Sequence, residues 1–311
     1  MIYGTSERKK HFLTLLDYSE SELREMLKLA MEMKNGRVNK RLEGKTLGML
    51  FQKSSTRTRI SFEAGMTQLG GHAIFLDFST TQLGRGETIA DTSRVLARYC
   101  DLVMARLNKQ SDLEEIAKYS RVPVINGLTE LFHPCQVMAD LQTVFEKKGD
   151  VDGLKVAFLG DCGFNMFHSI SIGFSKLGAS VVGASPNESY DPVPHVWEAA
   201  KKQAKYGEKM LSIERDPVKA VKDADVVITD TWVSMGQADS EKKIREMTPY
   251  QLNSQLLSKA KSDAIVLHCL PAHRGQEITD EVIDGPQSVV FDEAENRLHA
   301  QNAIMVRLLE K

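Results

Sequence analysis

The strongest constraint on this chain is a rhythm that runs twice. Short apolar, β-prone runs alternate with longer stretches of helical periodicity. Runs at Thr46–Phe51, His72–Asp77, Leu102–Arg106 and Val122–Asn126 are separated by amphipathic segments such as Ser61–Leu69 and Thr88–Tyr99. The series restarts at Lys155–Gly160, Ser180–Ala184, Asp225–Thr229, Ala264–His268 and Ser288–Phe291. Apolar strands each followed by a helix specify parallel sheets. The break lies in "EKKGDVDGLKV", Glu146–Val156, where charge and glycine separate a helix from a new strand. The pattern predicts two doubly wound, parallel-sheet α/β domains, 1–149 and 150–292. The last segment, 293–311, is a predicted helix that can pack back on either domain, the first being the expected one.

A length of 311 residues suits two domains, each with its own core. The net charge of -2 gives no footprint for a nucleic-acid surface or a polybasic membrane anchor. Cys100, Cys135, Cys162 and Cys269 lie far apart with no zinc spacing, so free thiols are expected rather than a disulfide framework. No apolar run approaches the ~18 residues of a membrane span, and the N-terminus lacks a hydrophobic signal core. A soluble cytoplasmic protein is expected.

In parallel α/β sheets, ligands bind where strands end and helices begin, because helix N-termini expose unpaired N–H groups there. Ser54 and Ser55 are good N-caps after the Thr46–Phe51 run, and a helix starting there would aim N–H groups and the hydroxyls of Ser55, Thr56 and Thr58 at one anion. Arg57 and Arg59 lie about 200° apart around a helix, so only one can face that anion. Arg59 has Glu63 at i,i+4 as a partner. Spacing alone leaves a phosphate site and a surface charge cluster both open.

Arg106 closes its strand. In "FHPCQVMADLQTVF", Pro134 suits the first helical position, His133 the cap, and Gln136 the same side of the first turn. In the second half, "GDCGFNMFHS" lacks the GxGxxG order of a dinucleotide loop. Asp230 and Cys269 both stand at carboxyl ends of strands; Cys269 by itself reads equally as a ligand contact or a small buried hydrophobe.

Taken together, "SSTRTR", "HPCQ", "DTWVSMG" and "HCLPAHRG" closely resemble, in order and spacing, the transcarbamylase family in its ornithine branch. The resemblance implies two α/β domains with the active site in the cleft between them. It implies a carbamoyl phosphate-binding domain over 1–149, an ornithine-binding domain over 150–292, and a homotrimer or multiple of trimers. Carbamoyl phosphate contacts are implied at Ser55, Thr56, Arg57, Thr58, Arg106, His133, Gln136, Cys269, Leu270 and Arg297, with Gln82 reaching a neighbouring subunit's site. Ornithine contacts are implied at Asn165, Asp230, Ser234 and Met235. Residues 162–164 depart from the family pattern just before that asparagine.

Arg106, His133 and Cys269 are the expected catalytic residues, and no metal or organic cofactor is called for. The implied reaction is carbamoyl transfer to the δ-amine of L-ornithine. Two other readings are a transcarbamylase for putrescine or an N-acylated ornithine, and a non-catalytic carbamoyl phosphate or amino-acid sensor.

Overall fold

In the computed structural model, residues 11–36, 41–233 and 240–310 are described. The chain forms two compact units, residues 1–135 with 297–311, and residues 136–296. Each is built on its own wholly parallel sheet.

The first sheet contains β1 (Thr46–Phe51), β2 (His72–Asp77), β3 (Leu102–Arg106) and β4 (Val124–Leu128), in the order β2-β1-β3-β4. β1 and β3 are buried along nearly their whole length, whereas β2, at the edge, alternates toward solvent. Leu50, Val103, Ala105, Leu113 and Val124 join the first core. β4 starts two residues later than the apolar run predicts, because Val122 leads in from a turn closed by Ser120.

The second sheet contains β5 (Lys155–Leu159), β6 (Ser180–Ala184), β7 (Leu211–Glu214), β8 (Val226–Thr229) and β9 (Ile265–His268), in the order β7-β6-β5-β8-β9. Its core includes Ala157, Leu159, Val227, Val266 and Ile278.

Two features differ from the expected strands. Ser288–Phe291 is not a strand: Ser288 makes a single bridge to Val266, and Val290 opens the last helix, Val290–Leu309. The β-branched pair Val289–Val290 is buried at this junction, so its apolar character serves helix docking rather than a sheet. The strand β7 lay outside the predicted set, since "LSIE" is a short edge segment without a continuous apolar run.

Both sheets reverse their winding at one point. In the first, β1 is flanked by β2 and β3; in the second, β5 is flanked by β6 and β8. A crevice outside the carboxyl ends of the strands forms where successive crossovers leave in opposite directions. The chain just after β1 and β3, and just after β5 and β8, is therefore where chemistry is to be sought.

Candidate active site

The helix Thr56–Gln68 begins directly after β1, five residues earlier than the amphipathic pattern alone suggests. Ser55 is its N-cap, with the hydroxyl accepting from the Thr58 N–H at 3.3 Å. The cap therefore uses the Thr58 N–H, and Thr56 and Arg57 supply the N–H groups at the open end of the helix.

The Thr58 hydroxyl, only 1% exposed, is the centre of this region. Its oxygen accepts from Ser55 Oγ at 3.1 Å, Arg297 Nη2 at 3.3 Å and Arg106 Nη1 at 3.5 Å. Arg106 comes from the end of β3 and Arg297 from the last helix, so three separate elements meet at one hydroxyl. Gln301 sits one turn beyond Arg297. With its amide oxygen turned toward the guanidinium it accepts from Nη2 at 2.8 Å and Nε at 3.2 Å, while its nitrogen donates to Ser61 Oγ at 2.6 Å.

His133 precedes the helix Pro134–Lys148 and is 5% exposed. Burial lowers its pKa well below the ordinary value, and the positive charges of Arg297, Arg106 and Arg57 lower it further. The imidazole is thus neutral at physiological pH, a hydrogen-bonding group rather than a charge. The structure brings Ser55, Thr58, Arg106, His133 and Arg297 together, with Arg57 close enough to act on the imidazole.

Arg59 is committed elsewhere. It donates to Glu63 Oε1 at 2.9 Å and its guanidinium lies 3.9 Å from the Phe75 ring centroid. Gln82 is exposed to solvent in part, on the single turn Gln82–Arg85.

In the second unit the corresponding strand ends carry Asn165, Asp230 and Cys269. Asn165 is the first residue of the helix after β5 and is 4% exposed. Asp230 follows β8, and Cys269, after β9, donates its thiol hydrogen to Asp230 Oδ1 at 3.0 Å. Burial pushes the Cys269 thiol well above its usual pKa, and the negative charges of Asp230, Glu293 and Asp140 push it further. Ser234 and Met235 lie outside the described residues.

A small concavity here is lined by Asp161, Phe164, Met166, Asp230 and Lys243, among others. Lys243 Nζ donates to Asp161 Oδ2 at 2.6 Å, so on this wall the two charges are paired with each other.

Behind Cys269, the Leu270 N–H donates to His268 Nδ1 at 2.9 Å, which holds Leu270 at a φ of 55°. Because Nδ1 accepts, the ring proton sits on Nε2, which faces Glu277 Oε1 at 3.2 Å. Asp230, His268 and Cys269 could together offer a metal three ligand atoms within 4.8 Å of one another. Those atoms are already engaged: both His268 nitrogens have partners and the thiol hydrogen is bonded to Asp230.

Sequence reasoning missed His268, Glu277, Gln301, Asp140 and Glu293. For Asp140 and Glu293 a signal existed, since Gln136–Asp140 and Glu293–Arg297 are i,i+4 pairs on their helices.

Residues 10–146 match the carbamoyl-P binding domain, and residues 152–308 the Asp/Orn binding domain, of aspartate/ornithine carbamoyltransferase. The ornithine carbamoyltransferase of Thermococcus kodakarensis is 53% identical over 302 residues, covering 96% of this chain and 95% of the relative. The solved ornithine carbamoyltransferase of Pyrococcus furiosus is 51% identical, with a TM-score of 0.91 and 96% of each chain covered. A solved acetylornithine transcarbamylase complexed with acetylcitrulline also superposes, with a TM-score of 0.86 at 32% identity over 97% of this chain and 100% of that one. The chain belongs to the aspartate/ornithine carbamoyltransferase family.

Proposed function

We propose that the protein transfers the carbamoyl group of carbamoyl phosphate to the δ-amine of L-ornithine, giving L-citrulline and phosphate. The observation that carries the chemistry is the gathering of Arg106 and Arg297 on the Thr58 hydroxyl beside a neutral His133, at the open end of a helix. The acceptor reading is supported by the identity of 53%, over 96% of this chain, to a relative named for ornithine.

The neutral amine attacks the carbamoyl carbon, a C–N bond forms, and the C–O bond to phosphate breaks. Arg57 and the N–H groups at the helix start neutralise the phosphate and make it a better leaving group. Ser55 and Thr56 add hydroxyls to that cradle, and Arg297 a second guanidinium. Negative charge developing on the carbonyl oxygen is met by Arg106, His133 and the Thr58 hydroxyl, fixed donors that need no reorganisation as the reaction proceeds.

Gln136 and the backbone of Leu270 hold the carbamoyl nitrogen. Asp230 takes the α-ammonium of ornithine with help from Ser234, while Asn165 and the Met235 backbone grip the carboxylate end. Cys269, a protonated thiol, orients the δ-amine and forms no covalent bond. The amine's proton leaves with the departing phosphate. On this reading the carbamoyl phosphate-binding domain covers 1–149 with the last helix, and the ornithine-binding domain 150–292.

Among the described residues no helix is long and apolar enough to cross a membrane. We place the enzyme in the cytoplasm as a homotrimer, with Gln82 donated to a neighbouring subunit's site. The exposed apolar side chains Ile60 and Ile74, 58% and 39% accessible, support an association surface on the first unit. Sedimentation should give three chains per particle; a monomer with full activity would remove Gln82 from the site.

The deciding experiment is a product assay with carbamoyl phosphate and a panel of amines. Ornithine should far outrun putrescine, aspartate and N-acetylornithine. Faster carbamoylation of putrescine or N-acetylornithine would overturn the assignment, and binding of carbamoyl phosphate without turnover of any amine would leave a sensor.

A further inference from the structure

Glu293 is 1% exposed and accepts hydrogen bonds at both carboxylate oxygens. Oε1 accepts from Gln136 Nε2 at 2.8 Å, and Oε2 accepts from the His268 N–H at 2.8 Å. The same Gln136 nitrogen donates to Asp140 Oδ1 at 2.9 Å, and Gln136 and Asp140 are themselves 1% and 0% exposed. Burying two acidic side chains around one amide is costly, and it does more than fill space. The two carboxyl oxygens that face Gln136 Nε2 both accept, so they decide which end of the amide faces them. The NH₂ must point to the acids, and the carbonyl oxygen must point away. In most glutamines that choice is left to solvent. Here two acids from two different helices make it.

We propose that Glu293, assisted by Asp140, is a positioning residue that locks Gln136 with its carbonyl oxygen as an acceptor for the NH₂ of the carbamoyl group. Through the His268 N–H the same carboxylate holds the strand end that leads into Cys269. The site thereby distinguishes carbamoyl phosphate from an acyl phosphate of the same shape that carries a methyl group in place of NH₂. This rests on the proposed placement of Gln136 in the carbamoyl phosphate site.

Replacing Glu293 by glutamine keeps the volume but leaves one acceptor and one donor where two acceptors stood. The introduced amide could not serve both His268 and Gln136 in their present orientations. Asp140→Asn weakens the hold from the other side while leaving the His268 contact intact.

The test measures carbamoyl phosphate binding and inhibition by acetyl phosphate in the full-length wild type, E293Q, D140N and the double variant, with thermal melting to show that each is folded. A lost charge-assisted hydrogen bond should weaken carbamoyl phosphate binding about tenfold in E293Q. D140N should lose less and the double variant more, and acetyl phosphate inhibition should change less than about twofold throughout. The preference for the carbamoyl compound therefore narrows. Parallel weakening of both compounds would mean a general loosening and would overturn the proposal, as would unchanged binding in all variants. If E293Q does not fold, D140N alone decides by the same ratio. Failure of the underlying function would look different: the wild type itself would bind no carbamoyl phosphate and make no citrulline.

Discussion

The two switch points share a construction and differ in charge. In the first unit, burial keeps an imidazole unprotonated and nearby guanidinium groups add to the effect. In the second, burial keeps a thiol protonated and nearby carboxylates add to the effect. Strand-end geometry sets where these groups sit; burial favours the neutral form of each, and the surrounding charge reinforces it. Neither His133 nor Cys269 titrates near neutral pH in the free protein, so neither is poised as a general base there. Proton transfer then falls to the substrates: the amine that must lose a proton and the phosphate that can take it.

The contrast is most sharply tested on the cationic side. Arg106→Ala removes a fixed donor to the developing oxyanion and should lower kcat by roughly 10²–10³-fold in steady-state citrulline assays. Arg57→Ala should cost at least about tenfold in kcat/KM for carbamoyl phosphate. Arg59→Ala should remain close to wild type, since Arg59 is exposed and tied to Glu63 and Phe75. A loss at Arg59 larger than at Arg57 would put the anion on the other face of the helix.

On the acidic side, Asp230→Asn should raise the KM for ornithine about tenfold or more, through loss of the α-ammonium partner. Carbamoyl phosphate binding should hardly change. The same variant should speed alkylation of Cys269 by iodoacetamide at about pH 8, because a negative charge that holds the thiol protonated has gone. A slower alkylation would remove Asp230 from that role.

The smallest effect is on stability. The folded-state pKa of His133 is depressed, so below the unfolded value near 6.5 the unfolded chain binds a proton that the native protein refuses. Stability is therefore complete above that pH and lost as pH falls through it, by about 1 kcal/mol at about pH 5.5. Urea unfolding at about pH 7.5 and 5.5, compared with His133→Gln, isolates this contribution; an equal pH dependence in the variant would exclude it.

Much of this was legible in the sequence. β1, β2, β3 and β6 coincide with their apolar runs, and the helix at Pro134 and the N-cap at Ser55 follow local chemistry that needs no tertiary context. The β7 strand was hidden because an edge segment need not be apolar throughout. Ser288–Phe291 misled because β-branched residues at a helix start look like a strand when read alone. The burial of Asp140, Glu277 and Glu293, as distinct from the i,i+4 spacing of Asp140 and Glu293, was illegible for a different reason. An acidic residue ordinarily marks the solvated face, and only packing between distant segments shows that these three are buried.

The helix Val290–Leu309 follows both sheets in sequence, yet it delivers Arg297 to Thr58, 239 residues earlier. A ribosome reads these positions in order, so a nascent polypeptide can have both sheets emerged and still lack that guanidinium. Products of premature termination before the last helix would carry the helix start at Ser55 without this cation and without Glu293. The anion site therefore gains its second cation only once this helix has been made and packed.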